Sequence, residues 1–280
     1  MMQHMTSVRS GMCQLLGEGG EAERNLERAA AMVREAAQEG CEIVLLPETL
    51  DLGWTHPTAK SEAAPIPGAR SDLFCDLARA HGIYICCGLT EQDGADVYNS
   101  AILVNDRGEI ILRYRKINEL TVGHEFYSIG RSLSVAKTRF GLIGVNICSD
   151  NYCDATEIGH VLARMGAQLI LSPSAWTVDY SYTEQLNPYG EKWFAPIHKL
   201  ASLYDIAIVM TTSVGVIVGG PYEGKKMVGC SFAVNRDGIC KQACYNEFAS
   251  ELVLVDLTIP LPHEKGTAIA DMLRRKGYYQ

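Results

Sequence analysis

Residues 40–47 read GCEIVLLP and residues 166–173 read GAQLILSP, and the 126-position echo between them decides the fold. Each octet follows a segment with helical spacing of its apolar residues, NLERAAAMVREAAQEG before the first and IGHVLARMG before the second. The echo continues outward. LARAHGIYI (Leu77–Ile85) matches LASLYDIAI (Leu200–Ile208) at an offset of 123, and VNDRG (Val104–Gly108) matches VNRDG (Val234–Gly238) at 130. Landmarks at nearly constant offset make the chain an internal repeat. Each half reads helix, strand, helix, strand, then a hairpin closed by an Asn/Asp/Gly turn.

The runs EIVLL, IYICC, GLIGVNI and QLILS are almost wholly apolar, which predicts strands buried on both faces. Helices cover only one face of each half-sheet, so the other face needs a partner, and the second half-sheet is the obvious one. The expected fold is α/β, a four-layer α-β-β-α sandwich with an internal pseudo-twofold repeat. No Pro/Gly/Ser-rich linker divides the halves, so residues 1–280 read as one domain.

Composition narrows the class. Net charge is −8 and no block of Lys and Arg stands out, which argues against nucleic acid or an anionic membrane as partner. The start, MMQHMTSVRSGMCQLLGEGG, has no basic stretch leading into an apolar core and reads as lacking a secretory signal. The longest apolar stretch, Ile206 to Val218, is broken by Thr211-Thr212-Ser213 and is too short for a bilayer. Ten cysteines contain no Cys-x-x-Cys pair, so all ten are expected as reduced thiols in a cytoplasm, with no zinc site, metal or other cofactor.

Three reactive side chains stand at strand ends, where a rigid sheet aims groups into one crevice. Glu48 follows Pro47, Lys116 ends EIILRYRK, and Cys148 ends GLIGVNI before the polar run SDNYC. Taken singly, each has a plain explanation: a solvated carboxylate, a surface charge, a core thiol. Together they suit one chemistry. A thiol with pKa near ~8.5 is mostly protonated at neutral pH and needs a base or cation to attack well. A desolvated carboxylate takes that proton and returns it to a leaving amine. An ammonium stabilises the oxyanion; one such donor is worth ~2.7–4 kcal/mol in the transition state.

LLPE, YRK and GVNICSD, in this order and spacing, resemble the Glu-Lys-Cys triad of the nitrilase superfamily of carbon–nitrogen hydrolases. RMGAQLILSPSAW and the closing hairpin GCSFAVNRDGICKQ belong to the same resemblance, which runs from about Val8 to about Leu257. It implies the α-β-β-α sandwich reached from the repeat. It also implies roles: Glu48 as general base and acid, Cys148 as nucleophile, Lys116 with the Ser149 N–H as oxyanion hole. The implied substrate is a small amide or N-carbamoyl compound, cleaved through a thioester.

The chain departs from the family in two places. Relatives usually carry Cys-Tyr-Asp and then an Arg-Phe-Pro-Glu-like run; here CSDNYCDATE puts Ser149 in the place of Tyr and adds residues before Glu157. Ser149, Asn151, Tyr152 and Trp176 are the expected substrate-binding residues, with Trp54 and Tyr127 behind them. Many relatives also place a second glutamate after the lysine. In KINELTVGHEFYSIG, Glu125 is taken for that role in preference to Glu119.

A nitrilase acting on C≡N, an acyltransferase using the same thioester, and a non-catalytic binding protein on the same fold are the alternatives. A Cys–His enzyme pairing Cys148 with His160 or His198 ranks below them. The tail LPHEKGTAIADMLRRKGYYQ carries Ala268, Ile269, Met272 and Leu273 at helical spacing, and an amphipathic stripe must be buried somewhere. With the resemblance, it points to a homodimer or higher even oligomer in contact through residues 260–280.

Overall fold

The structure is a computed structural model describing residues 6–183, 189–261 and 275–277. The first half contributes β1 (Thr6–Gln14), α1 (Ala22–Gln38), β2 (Ile43–Leu45), α2 (Ala69–His81), β3 (Tyr84–Asp93), β4 (Asp96–Val104) and β5 (Ile110–Arg115). The second contributes β6 (Val135–Thr138), β7 (Gly141–Val145), α3 (Glu157–Arg164), β8 (Leu169–Pro173), α4 (Tyr189–Tyr204), β9 (Ala207–Thr211), β10 (Phe232–Asn235) and β11 (Gly238–Gln242); β12 (Glu251–Ile259) follows.

Two six-stranded sheets result, in the orders β12-β1-β2-β3-β4-β5 and β6-β7-β8-β9-β10-β11. In the first, β1, β2 and β3 run parallel and β4 and β5 continue antiparallel. In the second, β7, β8 and β9 run parallel and β10 and β11 continue antiparallel. The internal repeat is thus a repeat of topology, as expected. Two edge strands were not legible in it. β6 forms a hairpin with β7, and β12 returns across the molecule to lie antiparallel to β1 of the first sheet.

Period-two alternation sorts the apolar runs into layers. Ile43, Leu45 and Cys86 point into the core shared with Val145, Ile170, Ile208 and Met210 of the second sheet. Val44, Leu46, Ile85 and Cys87 point the other way, against Ala29, Val33 and Ala36 of α1 and Phe74 and Ala78 of α2. Leu162 and Ala163 of α3 and Ile197, Leu200 and Ala201 of α4 cover the outer face of the second sheet. This is the four-layer sandwich, each buried Ile or Leu contributing about 1.5–3 kcal/mol of transfer free energy. A short sheet of Thr177–Val178, Lys226–Val228 and Val214–Val216 lies apart from both large sheets. No helix among the described residues is long and apolar enough to cross a membrane. The expected contact helix of residues 260–280 lies almost wholly outside the described residues.

Candidate active site

Glu48 leaves β2 where the backbone crosses very close to β3. Gly88 N donates to Pro47 O at 3.0 Å and Leu50 N to Gly88 O at 3.1 Å. A Cβ on Gly88 would stand 2.5 Å from Glu48 Cα and 2.8 Å from Thr49 N, so only glycine permits the crossing. Glu48 N in turn donates to Ser174 O at 3.2 Å, joining the two halves at the site. Lys116 stands one residue beyond β5 and is anchored by its N–H to Asn99 O at 2.9 Å.

β7 ends at Val145, two residues earlier than the apolar run suggests, and Cys148 opens a 3₁₀ turn, Cys148–Asn151. Its φ is +44°, a conformation costly for a residue with a Cβ and kept only where surroundings impose it. Asp150 imposes it here. Its Oδ2 accepts from Ile147 N at 2.9 Å and Tyr114 OH at 2.7 Å, and its Oδ1 accepts from Asn118 N at 2.9 Å. Ser149 Oγ donates to Asn118 O at 2.6 Å. The cysteine turn is thereby latched to the segment that carries Lys116.

The three strand-end groups converge, although 100 residues separate Glu48 from Cys148. Lys116 Nζ donates to Glu48 Oε1 at 2.7 Å, with both side chains 1% exposed. Asn99 Nδ2 donates to the same oxygen at 2.6 Å and to Glu119 Oε2 at 3.0 Å. Glu119 Oε1 accepts from Lys116 Nζ at 3.3 Å and Trp54 Nε1 at 3.1 Å. Apart from the sulfur of Cys148, Glu48 Oε2 has no hydrogen-bond partner among the described residues.

Electrostatics follow from this burial. Desolvation raises the Glu48 pKa; the Lys116 charge is the main opposing influence, Glu119 adds to the rise, and the Lys116 and Asn99 hydrogen bonds oppose it. Desolvation, then the Glu48 charge, push the Cys148 thiol well above its ordinary pKa, against Lys116 and a hydrogen bond from Ala175 N–H. For Lys116 desolvation is the largest single influence and disfavours the charge. Glu119, Glu48 and Cys148 together overcome it and hold the ammonium charged. Burial thus favours the neutral thiol over a preformed thiolate at Cys148.

The carbon-nitrogen hydrolase family profile matches residues 10–261. The chain belongs to this family. Among curated relatives, omega-amidase NIT2 of Danio rerio is 31% identical over 164 residues, 55% of this chain and 58% of that protein. A nitrilase of Pyrococcus abyssi is 34% identical over 166 residues, 58% of this chain and 62% of that one. The matched part thus spans about three-fifths of these relatives' length. Among solved structures, a carbon-nitrogen hydrolase from Helicobacter pylori G27 superposes with a TM-score of 0.80 at 18% identity, covering 97% of this chain and 93% of that one. Saccharomyces cerevisiae Nit3, of the nitrilase superfamily, gives 0.76 at 22% identity, covering 98% and 96%. These two likenesses show the fold.

In this member of the family, a cavity of about 190 Å³ opens onto Glu48, Lys116 and Cys148. Ser149, Tyr152 and Trp176 line it as expected, and Trp54, placed behind them by the sequence, is itself in the wall. Tyr127 lies behind: fully buried, its hydroxyl accepts from Thr55 N at 3.0 Å. Two expectations are corrected. Asn151 does not reach the cavity. It is tucked beneath the turn, where Nδ2 donates to Ser172 Oγ at 2.8 Å and Cys148 O at 3.3 Å and Oδ1 accepts from Asn146 Nδ2 at 2.7 Å. Glu125 is not the second glutamate of the site. It ends the exposed 3₁₀ turn Thr121–Glu125, its side chain 69% exposed and paired with Lys60 at 3.1 Å. Glu119 stands there instead, and Gly123 leaves it room: a Cβ on that glycine would lie 2.6 Å from Glu119 Oε1.

Asn99, Asp150, Trp193 and Tyr222 escaped sequence reasoning. Asn99 had a signal, a lone amide amid the apolar residues of VYNSAILV. Neither histidine proposed for a Cys–His pair is at the site: His160 Nδ1 is 2.9 Å from Tyr204 OH, and His198 Nε2 lies 3.2 Å from Arg236 O.

Proposed function

We propose that the protein hydrolyses the C–N bond of a small carboxamide or N-carbamoyl compound through a Cys148 thioester. The observation that carries this is the buried Glu48–Lys116 pair at 2.7 Å in the same cavity as Cys148. Because burial keeps the thiol protonated, attack needs a base at that moment, and Glu48 has an oxygen committed to no other group.

Glu48 takes the thiol proton as sulfur adds to the substrate carbonyl. The oxyanion is met by Lys116 Nζ and the Ser149 N–H, which as an early N–H of its turn has no intrahelical acceptor to satisfy. Glu48 returns the proton to the nitrogen, and ammonia or an amine leaves. Water then enters; Glu48 takes one proton from it, hydroxide adds to the thioester, and the acid departs as the thiol is restored. Glu119 and Asn99 hold Lys116 and Glu48 in register throughout.

Support comes from the amidase of Nesterenkonia sp. AN1. One mutant of that protein carries the acetamide moiety of fluoroacetamide covalently on its active-site cysteine, and its structure matches this chain with a TM-score of 0.76 at 18% identity over 90% of both chains. All ten cysteines here are free thiols, and the proposal takes the enzyme to work as a homo-oligomer in a reducing cytoplasm. The deciding assay is ammonia release from a panel of amides, N-carbamoyl amines and nitriles, with mass spectrometry of the protein during turnover. Amide hydrolysis with an acyl adduct on Cys148 is the expected result. Turnover of nitriles alone, or turnover that survives Cys148→Ala, would overturn it.

A further inference from the structure

The cavity has far more aromatic wall than a minimal amide requires. Trp54 meets Tyr222 edge-on, ring centroids 5.2 Å apart. Trp176 and Trp193 stack at 4.9 Å with 5° between their planes, and Tyr152 meets Trp193 edge-on at 5.2 Å. The reacting groups Glu48, Lys116 and Cys148 belong to the same cavity.

Aromatic cages recruit either flat, π-rich groups or cations. The cation is disfavoured here because two ammonium groups already stand within cation–π range of these rings. Lys116 Nζ is 5.8 Å from the Trp54 ring centroid, and Lys192 Nζ is 4.8 Å from that of Tyr152 and 5.9 Å from that of Trp193. Size agrees with the flat group: an apolar cavity of roughly 150 Å³ takes up benzene, and this one measures about 190 Å³.

We infer that the preferred substrate is an amide with an aromatic acyl group, its ring held by the Trp54–Tyr222 and Tyr152–Trp193 pairs that line the cavity. This rests on the amide-hydrolase reading above and narrows it. Ring-on-ring contacts add to simple area burial, and two of them amount to about a tenfold preference over an aliphatic group of similar size.

The test compares phenylacetamide with cyclohexylacetamide, which has the same number of heavy atoms and a similarly reactive carbonyl. Turnover is read as kcat/KM on the wild-type protein. Binding is read separately by tryptophan fluorescence of Cys148→Ala, which needs no chemistry. Phenylacetamide should win by about tenfold in both. Tyr152→Leu removes one of the two ring contacts and should lower the phenylacetamide-to-cyclohexylacetamide ratio by about threefold, and Tyr152→Phe should keep it, because the ring rather than the hydroxyl does the holding. A ratio near one in wild type, or an unchanged ratio in Tyr152→Leu, would sink the inference. So would tighter binding of the anionic amide 5-amino-5-oxopentanoate that is lost in Lys192→Met, since the cavity would then be selecting a carboxylate. If phenylacetamide binds Cys148→Ala as expected but wild type hydrolyses no amide, the inference about the pocket stands and the hydrolase reading falls.

Discussion

Equivalent strand ends in the two halves hold very different residues. Glu48 follows the proline after β2, and Ser174, 126 positions on, follows the proline that ends β8. Lys116 after β5 corresponds at the hairpin offset of 130 to Asn246 after β11. Gly11 pairs with Val44, and Gly144 with Ile170, so Cys148 beyond β7 matches Leu15 beyond β1. Glutamate, lysine and cysteine in one set become serine, asparagine and leucine in the other. The second set is also filled. Leu15 is 1% exposed, and Gln14 beside it accepts from Ser231 N at 3.1 Å and Ser231 Oγ at 3.0 Å. Duplicated topology thus supplies two equivalent frames, and chemistry appears only where polar groups are left facing space. Gly88 marks the same break, since its counterpart at offset 123 is Thr211.

The sharpest way to break this comparison is to substitute across it. Cys148→Ala should lower turnover by about 10⁴-fold or more while the protein stays folded. Leu15→Ala, at the equivalent position, should leave turnover near wild type and lower stability by roughly 2–5 kcal/mol. Ammonia-release kinetics and denaturant unfolding read the two effects. An active Cys148→Ala protein would remove the chemical half of the contrast.

Glu119→Gln removes a charge from the buried network and should reduce kcat by about 10²-fold, the order seen when oxyanion stabilisation is impaired. Glu125→Gln should change kcat less than about twofold, because an exposed ion pair is worth at most ~1 kcal/mol and does not touch the cavity. Equal losses in both would mean that the site had been assigned to the wrong glutamate.

Gly88→Ala places a methyl against Glu48, whereas Thr211→Ala at the matching place adds no atoms. The first should lower kcat by roughly 10²-fold through misplacement of the base, and the second should cost stability only. Steady-state kinetics on both proteins would show whether close backbone approach matters on one side alone.

The smallest expected effect is on pH dependence. Glu48 works ionised, and its folded pKa is raised, so activity is present above that raised value and is lost as pH falls through it. The acid limb of kcat/KM should therefore lie above the ordinary glutamate range. Asn99 donates to the ionised form and lowers this pKa, so Asn99→Leu should move the limb to higher pH. A limb at the ordinary value, unmoved in the variant, would argue that another group limits the rate.

Much of the scaffold was legible because its signals are local. Runs such as EIVLL and QLILS carry the strand period and length within themselves, and the helices before them carry the other period. The edge strand β6 was not legible, and although ELVLVDLTI reads as a strand, its pairing with β1 was not, since a neighbour met across the molecule leaves no local mark. At the site, Glu48, Lys116 and Cys148 were found by their order and spacing. Asn151 and Glu125 were misplaced for one reason: both lie in 3₁₀ turns, where each residue turns the side-chain direction by about 120° and the packing of the turn decides which residue faces the site.

By itself the sequence determined the repeat, the alternation that sorts residues between layers, and the three reactive residue types at strand ends. All of these depend on periodicity and on the intrinsic chemistry of side chains. The tertiary structure alone decided which glutamate joins Lys116, that burial raises the Cys148 thiol pKa further, and that Trp193 and Tyr222 join Trp54, Tyr152 and Trp176 in lining the cavity. Those outcomes depend on burial and on distances between residues far apart in the chain, and no local pattern encodes either.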